Sequence, residues 1–160
     1  MFFLTLVFDL TVAVEVGLIA ACLTFIYRIS SLSRSENVTA AEQPRLAGFE
    51  TRVQAWRLYG ALFFGAVKLV EAIEDKISTP VLVIDLKNVI YIDSSGADAL
   101  MHLIDSCRKK QVRLIVCGLV HQPLDIAQRS GLVQQLQGQL AADLGTGLAQ
   151  AVHWVEPPGQ

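Results

Sequence analysis

Apolar and polar positions divide the chain into an apolar amino-terminal stretch and a longer part in which the two kinds alternate. Residues 1–27 are almost wholly apolar. At a rise of about 1.5 Å per residue, a helix of this length can cross a hydrocarbon core of about 30 Å. The stretch therefore predicts one transmembrane helix over residues 1–29.

Two other interpretations of this stretch agree less well with its flanks and its length. A secretory signal peptide needs basic residues before its apolar core and a small-residue cleavage site, but here Arg28 and Arg34 follow the stretch and no Lys or Arg precedes it. A buried helix of a soluble protein is seldom apolar on all sides over such a length. By the positive-inside rule, the same arginines place the carboxy-terminal part in the cytoplasm. We expect a single span, with a bacterial inner membrane as its location.

Two carboxylates lie inside the predicted span, Asp9 and Glu15. At about 100° per residue they point roughly 120° apart, so they cannot form one tight pair. Because an ionised carboxylate facing lipid is costly, each should face protein, water or the interface, or stay protonated. Asp9 is close enough to the start to reach the headgroups, whereas the central Glu15 indicates neighbouring helices that this chain does not supply.

The part after the span is long enough for one domain and a linker. Residues 30–48 contain Ser, Glu, Gln and Pro44 and few apolar residues, so we expect a linker without a fold of its own. Residues 49–156 alternate between strand and helix patterns, which predicts an α/β domain with a mixed sheet covered by helices. We expect strands at 53–59, 81–86 and 112–117, with a further strand beginning at 61–64 after a turn at Gly60. We expect helices at 66–73, from Ser94 to Lys109 or Lys110, from Pro123 to Gly131, and at 144–154, with Pro157-Pro158 as a frayed tail.

The loop Asp93-Ser94-Ser95-Gly96 lies where an apolar strand is followed by an amphipathic helix. Asp93 and Ser94 can offer side-chain oxygens to the unpaired amides of that helix, and Gly96 lets another backbone come close. The hydroxyls lie at the positive end of a helix dipole, which favours a phosphate or a partner carboxylate. The alternative is an ordinary capped helix without a binding role.

Other candidates for chemistry are weak, and we expect no enzyme activity, no cofactor and no metal site. The three histidines are far apart in sequence and none has a carboxylate or cysteine at ligand spacing. The three cysteines fit a reducing compartment and small buried positions, and no phosphate-binding glycine loop is present. A net charge of −2 gives no basic field for nucleic acid, and the first 27 residues raise the mean hydropathy to +0.45.

The domain resembles the STAS domain, a module shared by sulfate transporters and anti-sigma-factor antagonists. The resemblance covers residues 58–132, about half of the chain, and rests on five motifs in the expected order, none of them specific alone. They are Leu62-Phe-Phe-Gly65, Val81-Leu-Val-Ile-Asp-Leu86, Ile92-Asp-Ser-Ser-Gly96, Val112-Arg-Leu-Ile-Val-Cys-Gly118 and Arg129-Ser-Gly-Leu132. The stretch from Leu4 to Gly17 resembles the last span of the sulfate permease (SulP) family, in which that span leads directly into a cytoplasmic STAS domain.

The resemblance implies the terminal span and regulatory STAS module of an anion transporter. SulP transporters move sulfate, bicarbonate or dicarboxylates through many spans, and their STAS domain supports folding, dimerisation and regulation. The partners implied are the remaining transmembrane spans or a second copy, the lipid bilayer, and a cytoplasmic regulatory protein. Since the half-helices that hold the anion are not in this chain, we expect no transport by it alone.

The alternative is a membrane-tethered signalling module similar to the anti-sigma-factor antagonists. Those proteins bind a kinase-like partner through the serine loop, and the second serine of their motif is the phosphorylated one, which corresponds to Ser95. Soluble antagonists lack a span, so the apolar stretch favours the transporter interpretation. A purely capping role for Ser94 and Ser95 remains the simpler hypothesis for the loop.

Overall fold

The computed structural model describes residues 2–63 and 65–156, and it divides the chain into two compact units that meet between Leu32 and Ser33. The first unit is one helix, α1, Phe2–Ser31. Its stretch Phe2–Ile29 is long and apolar enough to cross a membrane. Two threonines satisfy their hydroxyls inside the helix, since Thr11 Oγ1 donates to Val7 O at 2.9 Å and Thr24 Oγ1 donates to Ala20 O at 2.8 Å. These two hydroxyls therefore need no partner from outside the helix.

The second unit is an α/β domain built on a five-stranded sheet in the order β1-β2-β3-β4-β5. The pair β1–β2 is antiparallel and the other three pairs are parallel, so the mixed sheet covered by helices that the sequence predicts is confirmed. The strands are β1 Arg34–Val38, β2 Val53–Leu62, β3 Val81–Ile92, β4 Arg113–Cys117 and β5 Leu140–Ala141. The helices are α2 Ala66–Glu74, α3 Ser94–Lys109, α4 His121–Arg129, α5 Leu132–Gln135 and α6 Leu144–Val155, with a 3₁₀ turn at Pro44–Leu46.

Alternate side chains of the central strands enter two separate cores. Leu58, Leu82 and Ile84 belong to the first core, which α2, α3 and α4 cover. Ala55 and Val83 belong to the second core, which α6 and the 3₁₀ turn cover. Because β3 is buried on both faces, its sequence Val81-Leu-Val-Ile84 is apolar without interruption, as expected of a central parallel strand.

The segment 30–48 differs from the sequence prediction, because much of it is folded. Arg34–Val38 pairs with β2 in antiparallel register, and the compact unit begins at Ser33 rather than at residue 49. Val38 is 4% exposed and Leu46 is 2% exposed, both in the second core. A polar edge strand with one buried side chain gives almost no periodic signal, so tertiary pairing determines its structure.

Smaller differences concern strand and helix ends. One strand, β2, runs through Gly60, and the expected turn there is instead an irregularity with φ 87° and a register shift against β3. β3 continues six residues past Leu86, and β5 was not predicted because it has only two residues. α4 begins at His121, two residues before Pro123. The expected strand reaching Phe64 and the tail at Pro157-Pro158 include positions outside the described residues.

A buried ion pair joins β2 to β3 at the end of the second core. Arg57 Nε lies 3.3 Å from Asp85 Oδ2, and the Asp85 side chain is only 3% exposed. The Lys87 amide donates to the other Asp85 oxygen at 3.0 Å, and Glu42 Oε2 lies 3.6 Å from Arg57 Nη1. Hydrogen bonding with Tyr59, against the opposing effect of burial, raises the pKa of Arg57. Arg57 thus contacts both Asp85 in β3 and Glu42 in the segment before β2.

We predict that Arg57→Ala destabilises the domain far more than loss of an exposed pair of equal length. It leaves the Asp85 carboxylate buried without its cation, which costs about 3 kcal/mol. The matched control is Arg129→Ala, since Arg129 Nη2 and Asp125 Oδ2 are also 3.3 Å apart but both side chains are more than half exposed. That change should cost less than about 1 kcal/mol. Urea unfolding of residues 33–160 measures both, and equal losses would contradict the prediction.

Candidate functional site

The loop Asp93–Gly96 is held in place by its neighbours on both sides. The Gln122 side chain binds the end of β3 like a short strand, because Oε1 accepts from Ile92 N at 2.9 Å and Nε2 donates to Ile92 O at 2.9 Å. On the other side, Asp93 N donates to Leu62 O at 3.1 Å. The loop therefore starts from a fixed strand end. Sequence reasoning missed Gln122, since its partner is 30 residues away and no local motif marks it.

Asp93 caps α3. Its backbone is extended, with φ −94° and ψ −176°, and its Oδ1 accepts from Gly96 N at 2.8 Å. Ser94, which was expected to help with capping, is instead the first residue of α3 and is exposed, while Ser95 is partly buried. Within the described part of the chain, neither serine hydroxyl makes a hydrogen bond. Asp93 alone therefore caps α3, and both serine hydroxyls remain available to bind a partner or accept a phosphate.

Gly96 shows the close approach that a glycine was expected to allow. A Cβ at this position would clash with Leu62 O and would lie 2.9 Å from Leu62 Cβ and 3.0 Å from Ile92 Cγ2. The first turn of α3 therefore packs directly on the backbone of β2. This contact sets how far the loop can project from the sheet.

A shallow groove of about 220 Å³ between α2 and α3 begins one turn beyond the loop. Its floor is apolar and its edges carry Glu71 and Asp98. His102 also lines it, and its Nδ1 lies 3.6 Å from Glu74 Oε2, so this exposed histidine bridges the two helices. The loop and groove together form a surface with hydroxyls, carboxylates and a small apolar floor, which suits contact with a protein better than catalysis.

The loop lies at the end of the domain where the chain enters from α1. The Ser33 hydroxyl donates to Ala61 O, and Ala61 pairs with Tyr91, two residues before Asp93. With strands about 4.8 Å apart, Ser33 and Tyr91 are separated by roughly 10 Å. The loop and the first residue of the domain are therefore neighbours at one end of the sheet.

The remaining residues singled out from the sequence do not join this loop. Asp9 and Glu15 are exposed on α1, in the first compact unit. Burial raises the pKa of Cys107 to about 11 and that of Cys117 to about 12, so both stay as thiols at neutral pH. No group of three His, Cys, Asp or Glu side chains suited to a metal ion occurs in the described ranges.

Residues 50–146 match the sequence profile of the STAS domain. The chain belongs to the STAS domain family. It is 31% identical over 144 residues to a protein of Bacillus subtilis (strain 168) described as "Putative sulfate transporter YvdB", and the match covers 86% of this chain and 26% of that protein. The STAS chain thus spans about a quarter of the length of this relative.

Solved structures with a similar fold include an anion transporter and an anti-sigma factor antagonist. The murine anion transporter Slc26a9 in its inward-facing state is 15% identical, with a TM-score of 0.68 over 88% of this chain and 25% of that one. The anti-sigma factor antagonist SpoIIAA in its unphosphorylated form is 16% identical, with a TM-score of 0.56 over 78% of this chain and 99% of that one. STAS domains of both classes are non-catalytic, and the candidate span together with the transporter relative indicates membrane association.

We predict that Gly96→Ala destabilises the STAS domain by about 2 kcal/mol or more, because the added methyl group must displace the backbone of β2. The control is Gly147→Ala, also on a helix, where the new Cβ meets only ordinary contacts of 3.5 Å. That change should be neutral or stabilise by up to about 1 kcal/mol, since alanine favours a helix interior. Thermal unfolding of residues 33–160 compares the two, and a Gly96→Ala domain as stable as the parent would refute the close contact.

Proposed function

We propose that this STAS chain is the carboxy-terminal, membrane-anchored regulatory and interaction module of a SulP-type transporter for sulfate or another inorganic or dicarboxylate anion. The observation that carries the proposal is the extent of the match to the sulfate-transporter relative. It covers 86% of this chain, whereas residues 49–160 are only 112 of its 160 residues. The similarity therefore includes sequence before residue 49 as well as the STAS domain.

The module depends on other spans for transport. A single helix encloses no polar pathway, and α1 contains no broken half-helices that could hold an anion at the bilayer midplane. A carboxylate at Glu15, midway along the candidate span, is costly against lipid and suits a position against neighbouring helices. The partners proposed are the remaining spans of a transporter or a second copy of the chain. Arg28 and Arg34 favour a cytoplasmic position for the domain.

The domain supplies a rigid cytoplasmic body to such an assembly. Its loop is fixed by Gln122, Asp93 and Gly96, so a partner meets a preorganised surface rather than one that must be ordered on binding. Its groove offers two carboxylates, Glu71 and Asp98, to basic segments of a partner. These properties suit regulation by contact.

The test is a chimera in which this chain replaces the matching quarter of the Bacillus subtilis relative. We expect sulfate uptake by cells that lack other sulfate uptake to be retained in the chimera, and to fall severalfold when it carries Gly96→Ala, because the domain then loses its packing. Gly147→Ala in the same chimera should leave uptake unchanged. This chain alone in liposomes should take up no sulfate. A chimera without residues 33–160 that transports as well as the complete one would exclude a supporting role for the domain.

A second function, that of an anti-sigma-factor-antagonist-like module switched by phosphorylation, is favoured by the state of the serines. The exposed Ser94 and the partly buried Ser95 lie at the amino terminus of α3 with hydroxyls that bond to no described residue. A phosphate at Ser95 would gain from the helix dipole but would lie close to Asp93 and Asp98. It would mainly make the surface more negative, which could reject one partner without unfolding the domain.

Charge and capping can be separated at Ser95. If the loop is a phosphorylation switch, Ser95→Asp should weaken pull-down of a cytoplasmic partner while Ser95→Ala should not. Both should keep the melting temperature within a few degrees, since Asp93 provides the cap and such effects are about 1 kcal/mol. Gln128→Glu adds the same charge on an exposed face of α4 and serves as the control. If both Ser95 variants bind as the parent does, the loop is structural and the switch is excluded.

A further inference from the structure

The sheet extends beyond the helix that covers its second face. Along the direction of the parallel strands, the second core ends at Ala55, Val83 and Cys117. The Arg57–Asp85 pair lies two residues further along β2 and β3. β2 continues five residues past Arg57, and β3 continues to Ile92. In the part of the chain that the structure describes, no β2 residue beyond Ala55 and no β3 residue beyond Val83 belongs to the second core.

The uncovered extension carries aromatic side chains. Leu58 and Leu62 enter the first core, so Tyr59 and Ala61 face the other way, as does Tyr91 beside Ala61. The rings of Phe63 and Tyr91 are 5.4 Å apart, and the Arg34 guanidinium lies 4.6 Å above the ring of Tyr59. Ile90 is 76% exposed and Tyr91 is 44% exposed. We call this set, Arg34, Tyr59, Phe63, Ile90 and Tyr91, the sheet-end patch.

The covalent path from the candidate span to this patch is short. Ser33 follows Ile29, the last residue of the candidate span, by four residues. A fully extended backbone of that length spans at most about 14 Å. The Ser33 hydroxyl donates a hydrogen bond to Ala61 O, and Ala61 pairs with Tyr91 in the sheet. The headgroup layer on each side of a bilayer is itself about 5–8 Å thick. The chain therefore keeps the patch within reach of the headgroups.

The chemistry of the patch fits that layer. Tyrosine combines an apolar ring with a polar tip and is enriched at the membrane–water interface, and arginine binds anionic headgroups. The exposed apolar surface of Ile90 and Tyr91, on a strand end that also carries the Arg34–Tyr59 contact, suits this boundary.

We infer that the sheet-end patch rests in the headgroup layer of the membrane, so that lipid, and no protein partner, covers this face of the STAS domain. The inference rests on the proposed function, because it requires α1 to be a span. It also places the loop Asp93–Gly96, which begins two residues after Tyr91, next to the bilayer. The loop would then accept only partners that approach along the membrane surface.

The test uses site-directed spin labels on the full chain in vesicles of phosphatidylethanolamine and phosphatidylglycerol. In a Cys22→Ser background, Tyr91→Cys carries the label, since Cys107 and Cys117 are buried thiols with raised pKa and do not react at neutral pH. The control is Val120→Cys, a position of similar exposure, 41%, on the α4 side of the sheet. Ile90→Cys is a second reporter within the patch.

We expect labels at 91 and 90 to collide severalfold more with oxygen, and severalfold less with a water-soluble nickel complex, than the label at 120. Arg34→Glu should reduce that difference. Equal nickel accessibility at 91 and 120 overturns the inference. If the label at 91 is shielded from nickel but its spectrum shows spin–spin broadening, the inference is also overturned, because two labels close together indicate a second copy of the chain on the patch. Carbonate extraction of the same samples reports separately on the span, because release of the protein would refute the proposed function itself.

Discussion

The arrangement of the STAS domain depends on the contact between the first turn of α3 and the backbone of β2. Only a residue without a side chain fits there, because Leu62 O occupies the space that a Cβ at Gly96 would need. The contact brings α3 against the sheet, which lets Leu100 and Leu103 fill the first core, and it leaves Asp93 in the extended conformation that capping requires. Packing and loop geometry are thus set by one close approach.

Much of the fold could be predicted because its central elements carry strong local signals. β3 and β4 are apolar runs, and α3 has a clear helical stripe with lysines at its end, so these elements begin close to where the pattern places them. β1 could not be predicted in this way. It buries only Val38, and its strand structure comes from backbone hydrogen bonds to β2 that no side-chain pattern records.

The sequence predicts the helix cap and the close-packed glycine of the loop, but it does not predict the side chain that holds the loop in place. Asp93 and Gly96 occupy positions with a known local chemistry at a helix start, whereas Gln122 acts through a fold contact with Ile92. The sequence does not predict the Arg57–Asp85 pair for a similar reason, because neither residue breaks the pattern of its own strand and the two meet only when β2 and β3 pair. A buried pair of this kind is a weak source of net stability but penalises any other register of the two strands, which would separate the charges.

The pairing of β1 with β2 also has a mechanical consequence. Ser33 and Arg34 lie at one end of the β1–β2 ladder, and Val38 lies opposite Ala55 at the other end. A pull on Ser33 along the strand axis would load the rungs of this ladder together, as in shear, instead of opening them one at a time. A pull transmitted through Ser33 would therefore reach β2, the strand that bears Arg57, before the rest of the sheet.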